Sequence, residues 1–329
     1  MHDRSVSILT TAGTRSSAAG SVPVDNARVT RPSVTDVVDA HAHLIDTQRL
    51  RYPWIDEQSP ALTALLANYY DIAHDYSPDD YRSDVDPAGV TASVACEFGA
   101  IDGIAEAEWV QRCHDETGTP GAFIAAVDLC ADDLADRLAR YRDLPVVRAV
   151  RQPLYWADDP LARLGARSDY VTDSQWLRGF ERVAESGLVW DLLLYAEQLA
   201  AAGQLLDSFP DVPIVLEAGG WPRDRSPDGV RRWQDALIAV AQRPNVTLKL
   251  QGLALIFGPS EKEISPWLRA AIEIFGADRC MFATHLPVDG LLWTASDLLG
   301  ATERILADRP ISDRDAYLAG TARRIYLSQ

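Results

Sequence analysis

The chain is 329 residues long with 47% hydrophobic residues, enough to bury a large core as one big domain or two moderate ones. Its 31 Lys and Arg face 48 Asp and Glu, and the formal net charge of −17 repels phosphate backbones and anionic membranes, which excludes nucleic acid as a partner. Nowhere do about 18 apolar residues run together without a charge, so a membrane-spanning helix is excluded as well.

Residues 1–33 place Ser, Thr, Ala and Gly around scattered Arg without the continuous apolar stretch of a signal peptide, and predict a flexible tail. The apolar run at 34–38 predicts the first strand, and Asp39-Ala40-His41-Ala42-His43 follows it directly. Side chains alternate along a strand, so His41 and His43 point the same way at its C-terminal end, where two imidazoles can hold a metal or pass protons. Histidine is scarce, at six residues in the chain, which speaks against chance pairing, although a lone HxH is a weak motif and a solvated loop pair is its alternative.

Residues 59–87 form the largest irregularity and predict a loop or helical insertion over one end of the fold. Apolar runs at 90–96, 122–128, 146–150, 188–194, 213–217, 246–250 and 280–284 predict strands two to eight. Helical patterns at 103–116, 131–141, 174–186, 195–208, 229–241 and 264–275 alternate with them. Consecutive apolar residues such as Ile214-Val215-Leu216 mark strands buried on both faces. Eight strand-and-helix units predict an α/β fold, a closed (β/α)8 TIM barrel forming one domain over 34–329. A doubly wound open sheet is the alternative, but no glycine-rich phosphate fingerprint supports it. The widely spaced Cys96, Cys113, Cys130 and Cys280 fit reduced thiols of a cytoplasmic enzyme.

A barrel carries its site at the C-terminal ends of its strands. Polar residues stand at nearly every predicted strand end: His41 and His43, Glu97, Arg148 and Arg151, Tyr195, Glu217, Lys249 and Gln251, and His285. Asp39-Ala40-His41-Ala42-His43-Leu44 with Arg49-Leu50-Arg51-Tyr52-Pro53-Trp54 resembles the opening of the amidohydrolase-related sugar-lactone hydrolases, the L-fuconolactonase and L-rhamnonolactonase group that also resembles pyrone-dicarboxylate and sulfomuconolactone hydrolases. His74-Asp75-Tyr76-Ser77-Pro78-Asp79-Asp80-Tyr81, Ala95-Cys96-Glu97-Phe98, Val147-Arg148-Ala149-Val150-Arg151 and Met281-Phe282-Ala283-Thr284-His285-Leu286-Pro287-Val288-Asp289 follow in the family's order. Leu318-Ala319-Gly320-Thr321-Ala322-Arg323-Arg324-Ile325-Tyr326 closes the likeness, which implies the amidohydrolase form of the barrel. Three departures stand out. Ala218 occupies the family's strand-six histidine position, His285 stands where Asp or Asn is common, and Thr321 replaces a common Asn.

A catalytic metal needs about three protein ligands and a water. His41, His43 and His285, with Glu97, form the candidate set for zinc or manganese; metal-free chemistry is the alternative. In that version His285 or His43 serves as general base, and Glu97 or Glu217 orients the imidazole or acts as general acid if burial raises its pKa. Arg151 is the expected oxyanion or carboxylate clamp, with Arg148 beside it, and a structural ion pair is the alternative. Tyr155, Trp156, Tyr195 and Trp221 are candidate substrate contacts, since an aromatic rim suits a flat or cyclic molecule better than a sugar. The expected partner is a small cyclic substrate, an anionic one being compatible with the arginines; self-association into a homo-oligomer is left open. The leading function is hydrolysis of a lactone or related cyclic ester. A metal-independent lyase, dehydratase or cyclase acting on a specialised metabolite is the second reading, and a non-catalytic binding barrel the third.

Overall fold

A computed structural model describes residues 36–328. The expected tail over 1–33 lies outside them. Eight strands, β1 (Val38–Ala42), β2 (Ala92–Cys96), β3 (Ala122–Ala126), β4 (Val147–Pro153), β5 (Val189–Leu193), β6 (Ile214–Leu216), β7 (Val246–Leu250) and β8 (Cys280–Phe282), pair in consecutive order. Every pairing is parallel. At the β8–β1 seam, His43 N donates to Leu286 O at 2.7 Å and His285 N to His41 O at 2.8 Å, so the candidate histidines themselves lie where the barrel closes. The open sheet is thereby excluded and the (β/α)8 barrel stands.

The helices are α1 (Pro53–Glu57), α2 (Pro60–Leu65), α3 (Pro78–Val85), α4 (Gly103–Thr117), α5 (Leu134–Arg142), α6 (Ser174–Ser186), α7 (Gly203–Ser208), α8 (Pro227–Ala241), α9 (Leu253–Phe257), α10 (Glu261–Phe275), α11 (Ala295–Ile305) and α12 (Ile311–Asp315). Most of the long ones begin where the sequence offers a capping acceptor. The Asp102 carboxylate takes the Ile104 and Ala105 N–H groups at the start of α4, and Asp173 takes that of Trp176 in α6. The helical pattern at 195–208 is instead broken into a 3-10 turn, Ala196–Gln198, and the short α7. Between helices and strands lies the larger apolar layer, in which Trp176, Phe180 and Trp190 pack with ring centroids 5.4–5.7 Å apart. Inside the barrel, small residues such as Ala40, Ala122, Ala149 and Ala283 fill the lower half, with Tyr326 of the C-terminal segment packed among them.

Two local features set the site. First, β1 runs four residues later than its apolar pattern predicts, so His41 is within the strand and not after it. The register steps from Asp39↔Ser93 to Ala42↔Ala95, a bulge of one residue. Ala40 packs in the barrel interior and Ala42 in the outer layer, so the bulge turns His41 inward beside His43 while Asp39 faces out. There Asp39 accepts hydrogen bonds from Thr284 N at 2.8 Å, Thr284 Oγ1 at 2.5 Å and Tyr81 OH at 2.9 Å. Second, β6 stops at Leu216, and Ala218, Gly219, Gly220 and Trp221 all have positive φ, 30° to 70°. Such a left-handed turn strains Ala218 and Trp221, and two consecutive glycines make it attainable.

Candidate active site

His41, His43, Glu97, Arg151, Glu217 and His285 line one cavity of about 200 Å³ at the C-terminal mouth of the barrel. Tyr155 and Trp221 line it too, whereas Tyr195 lies behind Tyr155, its ring stacked at 4.4 Å, and Trp156 lies outside under the guanidinium of Arg163. Arg148 is not in the cavity. It sits three residues from Arg151 on β4, and alternation sends it to the opposite face. The same alternation does not separate Ala218 from Glu217, as a continuing strand would, because the left-handed turn begins there and leaves both on the cavity.

The three imidazoles form a triangle. Ring centroids are 4.8 Å apart for His41 and His43, and 5.4 Å from each to His285. His43 is fixed by its Nδ1–H, which donates to Cys96 O at 3.0 Å, and by stacking on Phe98 at 4.0 Å. Its Nε2 is therefore a lone pair, and it lies 3.3 Å from His41 Nε2. The charge surroundings of His41 then permit two proton arrangements. In one, Lys249 Nζ donates to His41 Nδ1 at 3.4 Å and His41 Nε2–H donates to His43. In the other, His41 Nδ1–H points to Glu217 Oε1 at 3.5 Å and both Nε2 lone pairs face one point. That second arrangement suits a cation, since two imidazole nitrogens held about 2.0–2.1 Å from one tetrahedral ion stand about 3.3 to 3.4 Å apart. The ligand atoms of His41, His43 and His285 all lie within 4.8 Å of one another, so zinc or manganese fits the donor set. Burial holds the His41 and His43 imidazoles well below their usual range, leaving them neutral and able to coordinate.

His285 adopts φ 61°, in the left-handed region that a bulky side chain avoids. Its Nδ1 is 3.4 Å from Asp289 Oδ1, which leaves Nε2 for the cavity. Asp289 is itself anchored by the Ala254 and Leu255 N–H groups at the start of α9, each at 3.2 Å. A base, an orienting carboxylate and a fixed backbone thus stand in line. The sequence places Asp289 at the end of the strand-eight motif, but nothing in that motif assigns it the part of orienting His285.

Arg151 links two acids. Its Nε donates to Glu97 Oε1 at 2.7 Å, its Nη1 to Glu217 Oε2 at 2.8 Å and its Nη2 to Glu97 O at 3.0 Å. Burial works to raise the Glu217 carboxyl, but Arg151, Lys249 and His41 outweigh it and hold the group well below the usual range. Glu217 is an ionised partner and not the burial-raised general acid that the sequence allowed. Behind it, Lys249 Nζ contacts Asp191 Oδ2 and lies 3.3 Å from Glu217 Oε1, fully buried. Tyr326 OH donates to Asp191 at 2.8 Å. Burial pushes the Asp191 carboxyl up to about 7 in spite of Lys249. Sequence reasoning placed Lys249 at a strand end but assigned it no part; Asp191, in the middle of an apolar strand, was the only available signal of its partner.

The sequence profile of the amidohydrolase family, Amidohydro_2, matches residues 38–327. An uncharacterized protein, y4mH, of Sinorhizobium fredii (strain NBRC 101917 / NGR234) is 28% identical over 293 residues, 88% of this chain and 98% of its own. An L-fucono-1,5-lactonase of Burkholderia multivorans (strain ATCC 17616 / 249) is 27% identical over 301 residues, covering 88% of this chain and 95% of its own. A crystal structure of an amidohydrolase from Burkholderia multivorans with bound zinc superposes with a TM-score of 0.74 at 25% identity, over 89% of this chain and all of that one. Among the described residues, no helix is long and apolar enough to cross a membrane.

Proposed function

The chain belongs to the amidohydrolase family, and from that premise we propose that it hydrolyses a lactone or related cyclic ester in the cavity above His41, His43 and His285. The observation that carries this reading is the aim of three imidazoles and one guanidinium into a single cavity of about 200 Å³ at the barrel mouth. Similarity to the Burkholderia lactonase over nearly its whole length supports the choice of a cyclic ester.

Water attacks the ester carbonyl from the His285 side. The His285 Nε2 lone pair, directed by Asp289, takes the proton of the attacking water and returns it to the ring oxygen as the carbon–oxygen bond breaks, giving a hydroxy acid. Arg151 donates from its remaining N–H groups to the carbonyl oxygen as negative charge develops there. Glu97 and Glu217 hold the guanidinium in place; they are its scaffold. An ion would be held by His41 and His43, with His285 as third ligand only where its Nε2 is not the base, and it would supply Lewis-acid polarisation and a more acidic water. Because Ala218 contributes no ligand at the family's strand-six position, such an ion exchanges readily with a chelator.

Lys249 favours a second reading. By donating to His41 Nδ1 it closes a hydrogen-bond chain through His43 to Cys96 O with no ion required, which suits a metal-independent lyase or cyclase using His285 to move protons. Tracking proton release from a panel of lactones, beside elemental analysis for zinc and manganese, separates the two. Stoichiometric acid release that His285→Ala abolishes supports hydrolysis. Conversion without acid release, to an unsaturated or ring-closed product, replaces it with the second reading.

A further inference from the structure

Resting on the reading of this cavity as a lactone site, we propose that its substrate is a neutral cyclic ester with a flat apolar body, an aryl- or alkyl-substituted lactone, and neither a polyhydroxylated sugar lactone nor a di-acid. The ionisable groups are confined to the floor. The rest of the lining is largely hydrocarbon: Leu62 and Leu65 from α2 and Tyr69 after it cluster with Leu255 of α9, and Ile256 lies beside Leu255. Tyr155, Leu164 and Trp221 add to it, with the Tyr155 and Trp221 rings edge to face at 5.2 Å. Phe98, lying flat on His43 at 16°, extends a planar surface up from the floor.

A sugar lactone presents hydroxyls around its ring, and each one taken from water needs a new partner. Gln251, an amide at the floor, is held at both ends, its Oε1 accepting from Ala218 N at 2.7 Å and its Nε2 donating to Glu217 Oε2 at 3.1 Å, which leaves one N–H and one lone pair for the several hydroxyls of a sugar. Two phenols, Tyr69 and Tyr155, and the indole N–H of Trp221 are what the wall side chains offer beyond it. A carboxylate fares no better. Arg151 is the one guanidinium or ammonium among the described lining residues, and two carboxylates already surround it. Three of its five N–H groups are engaged, which leaves two for a neutral carbonyl oxygen and no net positive charge to attract an anion. A bound divalent ion would add charge at the floor, where the reacting carbonyl lies, and not along the walls that meet the ring's substituents.

The test compares kcat/KM for dihydrocoumarin, L-fucono-1,5-lactone and 2-pyrone-4,6-dicarboxylate, and in parallel measures calorimetric binding of the non-hydrolysable lactam analogues of the first two. The aryl lactone is expected to exceed both others by about 100-fold or more in kcat/KM, and its lactam to bind where the polyhydroxylated lactam does not. Leu65→Asn is expected to lower kcat/KM for dihydrocoumarin about tenfold, mainly through KM, and to raise it for the sugar lactone. If the sugar lactone or the di-acid is equal or preferred, the substrate class is overturned while the hydrolase reading stands. If no lactone turns over yet the aryl lactam alone binds, the hydrolase reading fails and the apolar ligand class stands. Equal binding of the two lactams, or of neither, overturns the proposal.

Discussion

Two buried cations stand one layer apart in this barrel and do different work. Arg151 on β4 lies between Glu97 and Glu217 at the mouth; Lys249 on β7 lies between Asp191, Glu217 and His41 below it. Their burial barely separates them, at 7% and 0% exposure. Counting donors does. An ammonium has three N–H groups, and in the ion-free arrangement, with His41 Nδ1 accepting, Lys249 has three partners; a guanidinium has five, and Arg151 directs three to protein acceptors. So saturated, Lys249 can only hold its neighbours in place, while the unsaturated cation beside a cavity has capacity for a ligand. Unused valence, and not burial, marks the group that can do chemistry.

Arg151→Met is the harshest test of that contrast. It strands two carboxylates that have lost their shared partner, and we expect a loss of about 3–5 kcal/mol in denaturant-unfolding stability. Turnover of the hydrolysed lactone should fall by about 10²–10³-fold through loss of the donor to the carbonyl oxygen. Turnover close to wild type in a folded Arg151→Met protein would reduce Arg151 to a second Lys249. His285→Ala comes next. It should lower kcat by about 10²-fold or more with Tm nearly unchanged, because alanine inherits the same left-handed φ and the side chain is only partly buried. His285→Asp separates ligand from base: activity that survives or rises with added zinc or manganese points to metal-assisted hydrolysis, and activity lost whatever metal is supplied points to an imidazole-tuned site.

Lys249→Met probes the saturated side. Asp191 can answer the loss by holding a proton, and Tyr326 still donates to it, so a cost of about 2–3 kcal/mol is expected, below that of Arg151→Met. An acid whose folded pKa lies above its unfolded one loses stability as pH rises. In the wild type the same carboxyl gives up its proton as pH passes about 7, so the cost of Lys249→Met should be level below that and grow above it, and urea titrations at pH 5, 7 and 9 check the sign. A cost independent of pH would mean that Asp191 stays ionised without its cation.

Much of this was legible in the chain. Strand order, parallel pairing and barrel closure follow from eight apolar runs alternating with helical patterns, and the structure shifts mainly their ends. His41 and His43 share a face as alternation suggests, yet the bulge that sends Asp39 outward is set by register against β2, which no single strand's sequence reveals. Alternation already favoured Arg151 over Arg148, and β4, running through Pro153, leaves Arg148 off the cavity. The roles within the charge network were less accessible. Whether Glu217 is raised by burial or lowered by cations depends on Lys249 and Arg151, 32 and 66 positions away in sequence, and on the turn at Ala218 that ends β6.

A third buried charge sharpens the rule at its smallest scale. Glu106, on α4, has no cation against it: Oε1 accepts from Phe98 N at 3.0 Å, while Oε2 is buried without a partner. Burial, then the Glu97 carboxylate, pushes its carboxyl up to about 8. The group is thus a neutral acid at neutral pH, and its sign runs the same way as that of Asp191. Between a glutamate's ordinary value of 4.5 and about 8 the unfolded chain ionises while the folded one keeps its proton, so this residue's contribution to stability declines as pH rises through that window. Glu106→Gln preserves the acceptor for Phe98 N and removes the titration. It should leave stability unchanged near pH 4, where both residues are neutral, and raise it by about 1–2 kcal/mol by pH 8, a shift of a few degrees in Tm. The gain must grow with pH. A constant difference between pH 4 and pH 8 would show that Glu106 is ionised in the folded protein, with some cation or water meeting Oε2, and the partner count used to separate Arg151 from Lys249 would have to be redone around α4.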